Sequence, residues 1–201
     1  MLKVMLSLVI LYLCSSCSEG DNDTSGGIGS VDRVSSNALE YGGATRPLNF
    51  GIADVIGNGN NYGQYEIVYR VSDVAWGFTT ILIGGIPQIS WFSDNNSVVF
   101  STHIYTPSTA GFEPGTYEYV DNAETRAGNT VGRPVFSFAY IGIDFNGDGN
   151  VENDAEHVDV ISGTLSVTGG SIEEAVLQFN LTLETGETVT GRFDSGFRIV
   201  E

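Results

Sequence analysis

From about residue 48 onward apolar side chains recur at every second position, and almost nowhere at the three-or-four spacing of an amphipathic helix. A period of two puts successive side chains on opposite faces of a pleated strand, so this body must fold as sheet. Tyr65, Ile67, Tyr69 and Val71 share one face. Trp76, Phe78, Thr80 and Leu82 form another stripe. Leu177, Phe179, Leu181 and Leu183 alternate with Gln178, Asn180, Thr182 and Glu184. Thr185-Gly186 then turns the chain into residues 188–193. Residues 89–91 and 98–105 flank Ser93-Asp94-Asn95-Asn96, a turn-favouring run that predicts a hairpin. Further strands are expected over residues 48–55, 116–120, 134–143, 158–167 and 197–200. About ten strands at close spacing predict an all-β fold, a single antiparallel β-sandwich or a barrel-like domain.

Upstream of the body the pattern changes. Lys3 precedes the apolar run Met5-Leu6-Ser7-Leu8-Val9-Ile10-Leu11-Tyr12-Leu13. A bilayer-spanning helix takes roughly 20 apolar residues, so this run reads as the hydrophobic region of a signal peptide. Leu13-Cys14-Ser15-Ser16-Cys17 follows and resembles a bacterial lipobox, in which small residues precede the cysteine that is acylated and becomes the new N-terminus. Ser15 and Ser16 make Cys17 the expected lipidation site. Cys14 is the other candidate, but bulky Leu13 would then sit at the cleavage point. The expected organisation is a signal peptide at 1–16, a lipidated flexible acidic tether at 17–37 and the β domain at 38–201. Residues 35–42 read equally as tether or domain. A polar, Gly-rich stretch such as Ser18-Glu19-Gly20-Asp21-Asn22-Asp23 cannot bury enough apolar surface to order itself.

Charge and cysteine usage narrow the partners. The formal net charge is -17, and removing a leader that holds Lys3 and no acid leaves 7 Arg against 25 acids, or -18. Such a surface repels nucleic-acid backbones and anionic lipid headgroups, so nucleic acid is excluded as a partner and a membrane link must come from the lipid. The only cysteines are Cys14 and Cys17, so the body has no disulfide, thiol nucleophile or thiolate metal site.

The most pointed chemistry lies at residues 144–156. Asp144, Asn146 and Asp148 stand at alternate positions, Gly149 at the sixth, Asn150 at the seventh and Glu152 at the ninth. Alternating oxygen donors closed by a glycine bend can wrap a hard cation such as calcium. The twelfth position, where a bidentate Glu would complete such a loop, is Ala155. Glu156, Asp154 or a distant residue would have to supply that carboxylate. The flanks read as strands, which excludes a helix-loop-helix site. The competing reading is a solvated Asx/Gly turn.

Three phrases carry a resemblance: Gly115-Thr116-Tyr117-Glu118-Tyr119, Ser162-Gly163-Thr164-Leu165-Ser166-Val167 and Gly186-Glu187-Thr188-Val189-Thr190-Gly191. They resemble turn-and-strand phrases of poorly characterised Bacteroidota surface lipoproteins, and the likeness covers most of residues 45–195. Acids soon after the lipidated cysteine likewise resemble the signal that sends such lipoproteins to the outer leaflet of the outer membrane. The resemblance implies an exported all-β lipoprotein of the cell envelope and supplies no catalytic set.

No nucleophile elbow, zinc-helix motif or phosphate loop occurs. His103 and His157 are the only histidines, the first on a strand pattern and the second beside the acidic loop. No catalytic residue is assigned. Trp76 and Trp91, with Tyr62, Tyr65, Tyr105 and Tyr119, are candidate stacking faces for a ligand, although side chains within alternating strands more often fill a core. The expected function is a membrane-anchored surface module that binds a glycan or protein and is stabilised by calcium. The alternatives are a barrel carrying a small apolar ligand around Trp76, Phe78 and Leu82, and a polysaccharide hydrolase with two carboxylates in one cleft.

Overall fold

The computed structural model describes residues 37–58, 63–83, 86–92, 96–149, 151 and 156–200. Cys17, the tether, Asn150 and Glu152 lie outside them. Among the described residues the chain forms thirteen strands and one short helix. The strands are β1 (Ala38–Tyr41), β2 (Ala44–Pro47), β3 (Phe50–Gly57), β4 (Glu66–Ser72), β5 (Gly77–Ile83), β6 (Ile86–Phe92), β7 (Val98–Tyr105), β8 (Gly115–Tyr119), β9 (Val135–Ile143), β10 (His157–Thr168), β11 (Val176–Leu183), β12 (Thr188–Phe193) and β13 (Arg198–Val200). The helix α1 (Asn122–Arg126) follows β8.

Eleven strands form one curled sheet in the order β13-β3-β4-β7-β9-β8-β10-β11-β12-β1-β2, a half-barrel, and β5 and β6 pair separately. The all-β expectation holds. Most pairings are antiparallel, but β13–β3 and β8–β9 are parallel, so the sheet is mixed. The expected hairpin across Ser93-Asp94-Asn95-Asn96 does not form. Residues 86–92 pair back onto β5, while β7 pairs with β4 and β9. Within the segment that read as either tether or domain, residues 38–41 form β1, laid against β12 and paired on its other side with β2.

Alternation along the strands decides which face curls inward. Ile67, Tyr69 and Val71 of β4, Phe100 of β7, Ile141 of β9, Leu165 of β10, Phe179 of β11 and Phe193 of β12 all belong to one buried cluster. Strands far apart in the sheet meet there, because the Phe100 ring of β7 and the Phe179 ring of β11 lie 4.3 Å apart, and Phe197 just before β13 packs on Tyr69 at 4.6 Å. Burying each such side chain contributes about 1.5–3 kcal/mol. Two glycines let the walls close. A Cβ at Gly51 would stand 2.5 Å from the Phe193 ring, and one at Gly191 would enter the Phe179 ring. Among the described residues the concave face of the curled sheet is packed with these side chains.

Candidate functional site

The outer face of the sheet holds an irregularity that the alternation does not announce. The strand β9 has three neighbours. Along one edge it pairs with β7. Along the other, Val135 and Phe136 pair with Glu118 and Tyr119 of β8, while Tyr140, Ile141 and Gly142 pair with Asp159, Val158 and His157 of β10. Further on, β10 pairs with β8 from Thr164 to Val167. The three strands thus fork, and a gap opens between Tyr119, residues 137–139 and residue 160.

A bulge faces this gap. On β7 only Thr102 lies between the partners Ser101 and His103, while on β9 Phe138 and Ala139 both lie between Tyr140 and Ser137. Two residues against one re-aim the side chains of a bulged strand. Phe136 points into the core, and after the bulge Ala139, Ile141 and Ile143 do so. Phe138 is placed on the outer side, with φ +48°. For a bulky side chain that conformation costs on the order of 1–3 kcal/mol and persists only where the surroundings impose it.

The imposing element is α1. Asp121 caps it, accepting from the Ala123 N–H at 2.6 Å. Asn122 then accepts from the Phe138 N–H through Oδ1 at 2.8 Å, satisfying a donor that the fork deprives of a strand partner. Thr125 is buried against β9 with its hydroxyl 3.4 Å from that of Ser137. The Arg126 guanidinium lies 5.2 Å over the Phe138 ring.

The result is a cavity of about 330 Å³, within the range of small-ligand sites. Arg70, His103, Tyr119, Asn122, Phe138, Tyr140 and Asp159 face it. His103 donates or accepts through Nδ1 at 2.7 Å from Glu66 Oε1, and the buried Glu66 also accepts from the Tyr105 hydroxyl at 3.1 Å. The His103 ring lies 5.1 Å from Phe138. The Tyr140 ring stacks on His157 at 4.6 Å. The wall is therefore held rigidly by its own neighbours. Arg70 differs. Its Nη1 is buried and has no hydrogen-bond partner among the described residues. Burial pushes its pKa down from the usual guanidinium value, against the pull of Tyr140 and Asp54, and the group stays charged.

Trp76 does not line this cavity. Trp76 is half-buried with Nε1 enclosed and unpartnered among the described residues, and the Trp91 side chain lies outside them. Tyr105 on β7 is fully buried. Tyr62 lies outside the described residues, and among those described Tyr119 is the one of the expected aromatic set that faces the cavity. Among the described residues Asp159 is the carboxylate that lines the cavity. Ser101 faces it too, yet no hydrogen bond joins its hydroxyl to His103, and no nucleophile–base pair results.

The acidic loop joins β9 to β10. Both Asp144 oxygens accept backbone N–H groups, from Gly147 at 2.6 Å and Gly149 at 2.8 Å. Asn146 Oδ1 accepts from the Asp148 N–H at 2.8 Å, and Asn146 Nδ2 donates to Asp148 Oδ2 at 3.2 Å. Glu156 is buried, and its Oε1 accepts from the N–H groups of Phe145 at 2.9 Å and Asn146 at 3.2 Å. The side chains of Asp144 and Glu156 thus organise the loop backbone from its two ends. Among the described residues no three acidic or histidine side chains converge as a metal cluster.

Set against protein-family models, curated proteins and solved structures, the chain matches none.

Proposed function

We propose that the chain is an exported, lipid-anchored binding module of the bacterial cell envelope, of the Bacteroidota surface type, displayed at the outer membrane. Cys17 carries the lipid, the acidic tether spaces the domain from the bilayer, and the fork cavity takes the ligand. Calcium bound by Asp144, Asn146, Asp148, Asn150, Glu152 and Glu156 stiffens the β9–β10 hairpin that forms one side of that cavity. The observation that carries the reading is the cavity itself. A Phe138 at positive φ, a helix that holds its N–H through Asn122 and a buried Arg70 Nη1 with no acceptor among the described residues converge on one solvent-facing hollow.

Anchoring is the testable half that needs no ligand. Two or three acyl chains hold a protein durably where one holds only marginally, at about 0.8 kcal/mol per buried methylene. The full chain, expressed in a Bacteroidota host, is expected in the membrane fraction and open to protease on intact cells. Cys17→Ala is expected in the soluble fraction. A Cys17→Ala protein that remains acylated and membrane-bound, or a wild type recovered without lipid, would overturn this assignment.

A further inference from the structure

We propose that the fork cavity is a site for an acidic sugar, with Arg70 receiving the carboxylate of a hexuronic acid and the wall of Phe138 and Tyr140 lying against the ring. This deepens the binding-module reading and rests on it.

Arg70 carries the argument. A guanidinium offers five N–H donors in a planar fork matched to a carboxylate, and here a buried Nη1 has no acceptor among the described residues. No carboxylate stands within ion-pair distance of it among the described residues. The arginines and histidine that do pair with an acid include His103 with Glu66, Arg133 with Glu118 and Arg192 with Asp194. A buried donor left unmade is costly, and an incoming oxygen removes that cost.

The charge of the ligand follows from what else faces the group. Asp159 is at the cavity, and Asp54, opposite Val68 on the adjoining strand, acts on Arg70 from the side. Glu66 is engaged by His103 and Tyr105. Arg70 is the arginine that lines the cavity, while Arg126 lies over the Phe138 ring, and a single lining guanidinium among these acids suits a monoanion. A phosphate monoester, close to a dianion at neutral pH, would bring more negative charge than one guanidinium balances on a chain of net charge -17.

The rest of the lining suits a polyol. Asn122 spends Oδ1 on the Phe138 N–H, which leaves its amide N–H groups as donors. Tyr119 and Tyr140 add hydroxyls, and Asp159 is an exposed acceptor for sugar hydroxyls. Donors, an acceptor and a rigid apolar wall around one cation match a ring bearing several hydroxyls and one carboxylate. A simple organic acid would leave most of them unused.

The experiment is an amide chemical-shift titration of the detergent-purified full chain. The probes are galacturonate and glucuronate, the neutral galactose and glucose, and acetate and glutamate as carboxylates without a sugar. The expected result is saturable shifts at Tyr119, Phe138 and Tyr140 with a hexuronate, binding at least tenfold tighter than the matching hexose or acetate. Arg70→Gln should bring hexuronate and hexose to the same affinity. If that variant does not fold, Arg70→Lys, which keeps the charge and loses the fork, should weaken the hexuronate at least threefold. Equal binding of acid and neutral sugar overturns the carboxylate assignment while leaving a sugar-binding module. Glutamate or acetate binding as tightly as the hexuronates overturns the sugar. Absence of shifts with every probe overturns the proposal and removes the ligand site from the functional reading, without touching the result for Cys17.

Discussion

Replacing Gly191 with alanine tests how the half-barrel closes. Gly191 sits on β12 between Leu39 of β1 and Phe179 of β11, all three on the inward face. Its φ lies outside the left-handed region, so alanine meets no backbone strain there. What it meets is the Phe179 ring, three of whose carbons occupy the space of a Cβ. The ring cannot retreat, because Phe100 lies behind it at 4.3 Å. Overpacking a filled core costs about 1–3 kcal/mol, and this contact belongs at the upper end. For a domain of this size that lowers the melting temperature by roughly 4–10 °C. Phe179→Leu alone should cost about 1–2 kcal/mol, from lost ring area and a partly collapsed cavity. In the double variant the alanine fits where the ring edge lay, so the two costs should not add. The expected coupling is about 1–2 kcal/mol in urea-denaturation midpoints of the four proteins, with an unchanged slope. Strict additivity would mean that Phe179 and Gly191 do not share this space, and the account of closure would fail.

Three further outcomes are expected. Phe138→Gly should change stability by less than about 1 kcal/mol, since relief of the positive φ offsets the lost contacts, whereas Phe136→Ala should cost about 3–5 kcal/mol in the same melt. Calcium at a hundred times its dissociation constant should raise stability by about 2.7 kcal/mol in a melting curve of the full chain, and Asp144→Ala should abolish that rise; a rise that survives in Asp144→Ala would place the ion elsewhere. Burial raises the phenol pKa of Tyr69 and of Tyr117, so above pH about 10 the unfolded chain loses protons that the native chain keeps. Stability should therefore fall as pH rises from 9 to 11, with phenolate absorbance appearing together with unfolding; titration of both phenols in the still-folded protein would contradict their burial.

The strands were legible where alternation is long and unbroken. The pattern over Val98–Tyr105 and Thr188–Phe193 gives the observed bounds, and the Thr185-Gly186 turn closes β11 onto β12, with Gly186 at φ 84°. Pairing was less legible. Ser93-Asp94-Asn95-Asn96 and Gly84-Gly85 are both good turns, and local chemistry does not say which one joins paired strands. The strands β1 and β2 are four residues each, too short to show a period. The helix left one trace, Asp121 with Glu124 three residues on, but a five-residue helix has no apolar repeat. The cavity was hidden for a different reason. Arg70, Asn122, Tyr140 and Asp159 come from four segments joined only by strand order. The one local signal is a change of parity: Phe136 is inward, and after it the inward residues are the odd-numbered Ala139, Ile141 and Ile143.

That parity change also explains why a ligand site would be located here rather than on a regular part of the sheet. A regular sheet satisfies its backbone groups strand to strand and shows a ligand only side chains. At the fork β9 exchanges one partner for another, and residues 137–139 lose their neighbour on that edge. The gap must be filled or lined. Asn122 takes the Phe138 N–H and Thr125 meets Ser137, so the fold answers the backbone demand with side chains of α1 and not with a further strand. Those side chains are held by a capped helix turn, which makes the hollow permanent rather than a transient opening. Arg70 then decides its character, because the neighbouring strands supply no acceptor for its buried N–H. A fork alone could be a packing accident, and one enclosed guanidinium N–H alone could be a tolerated defect. Both at one hollow, with a bulky side chain held at positive φ between them, are more economically explained by a ligand that completes the site.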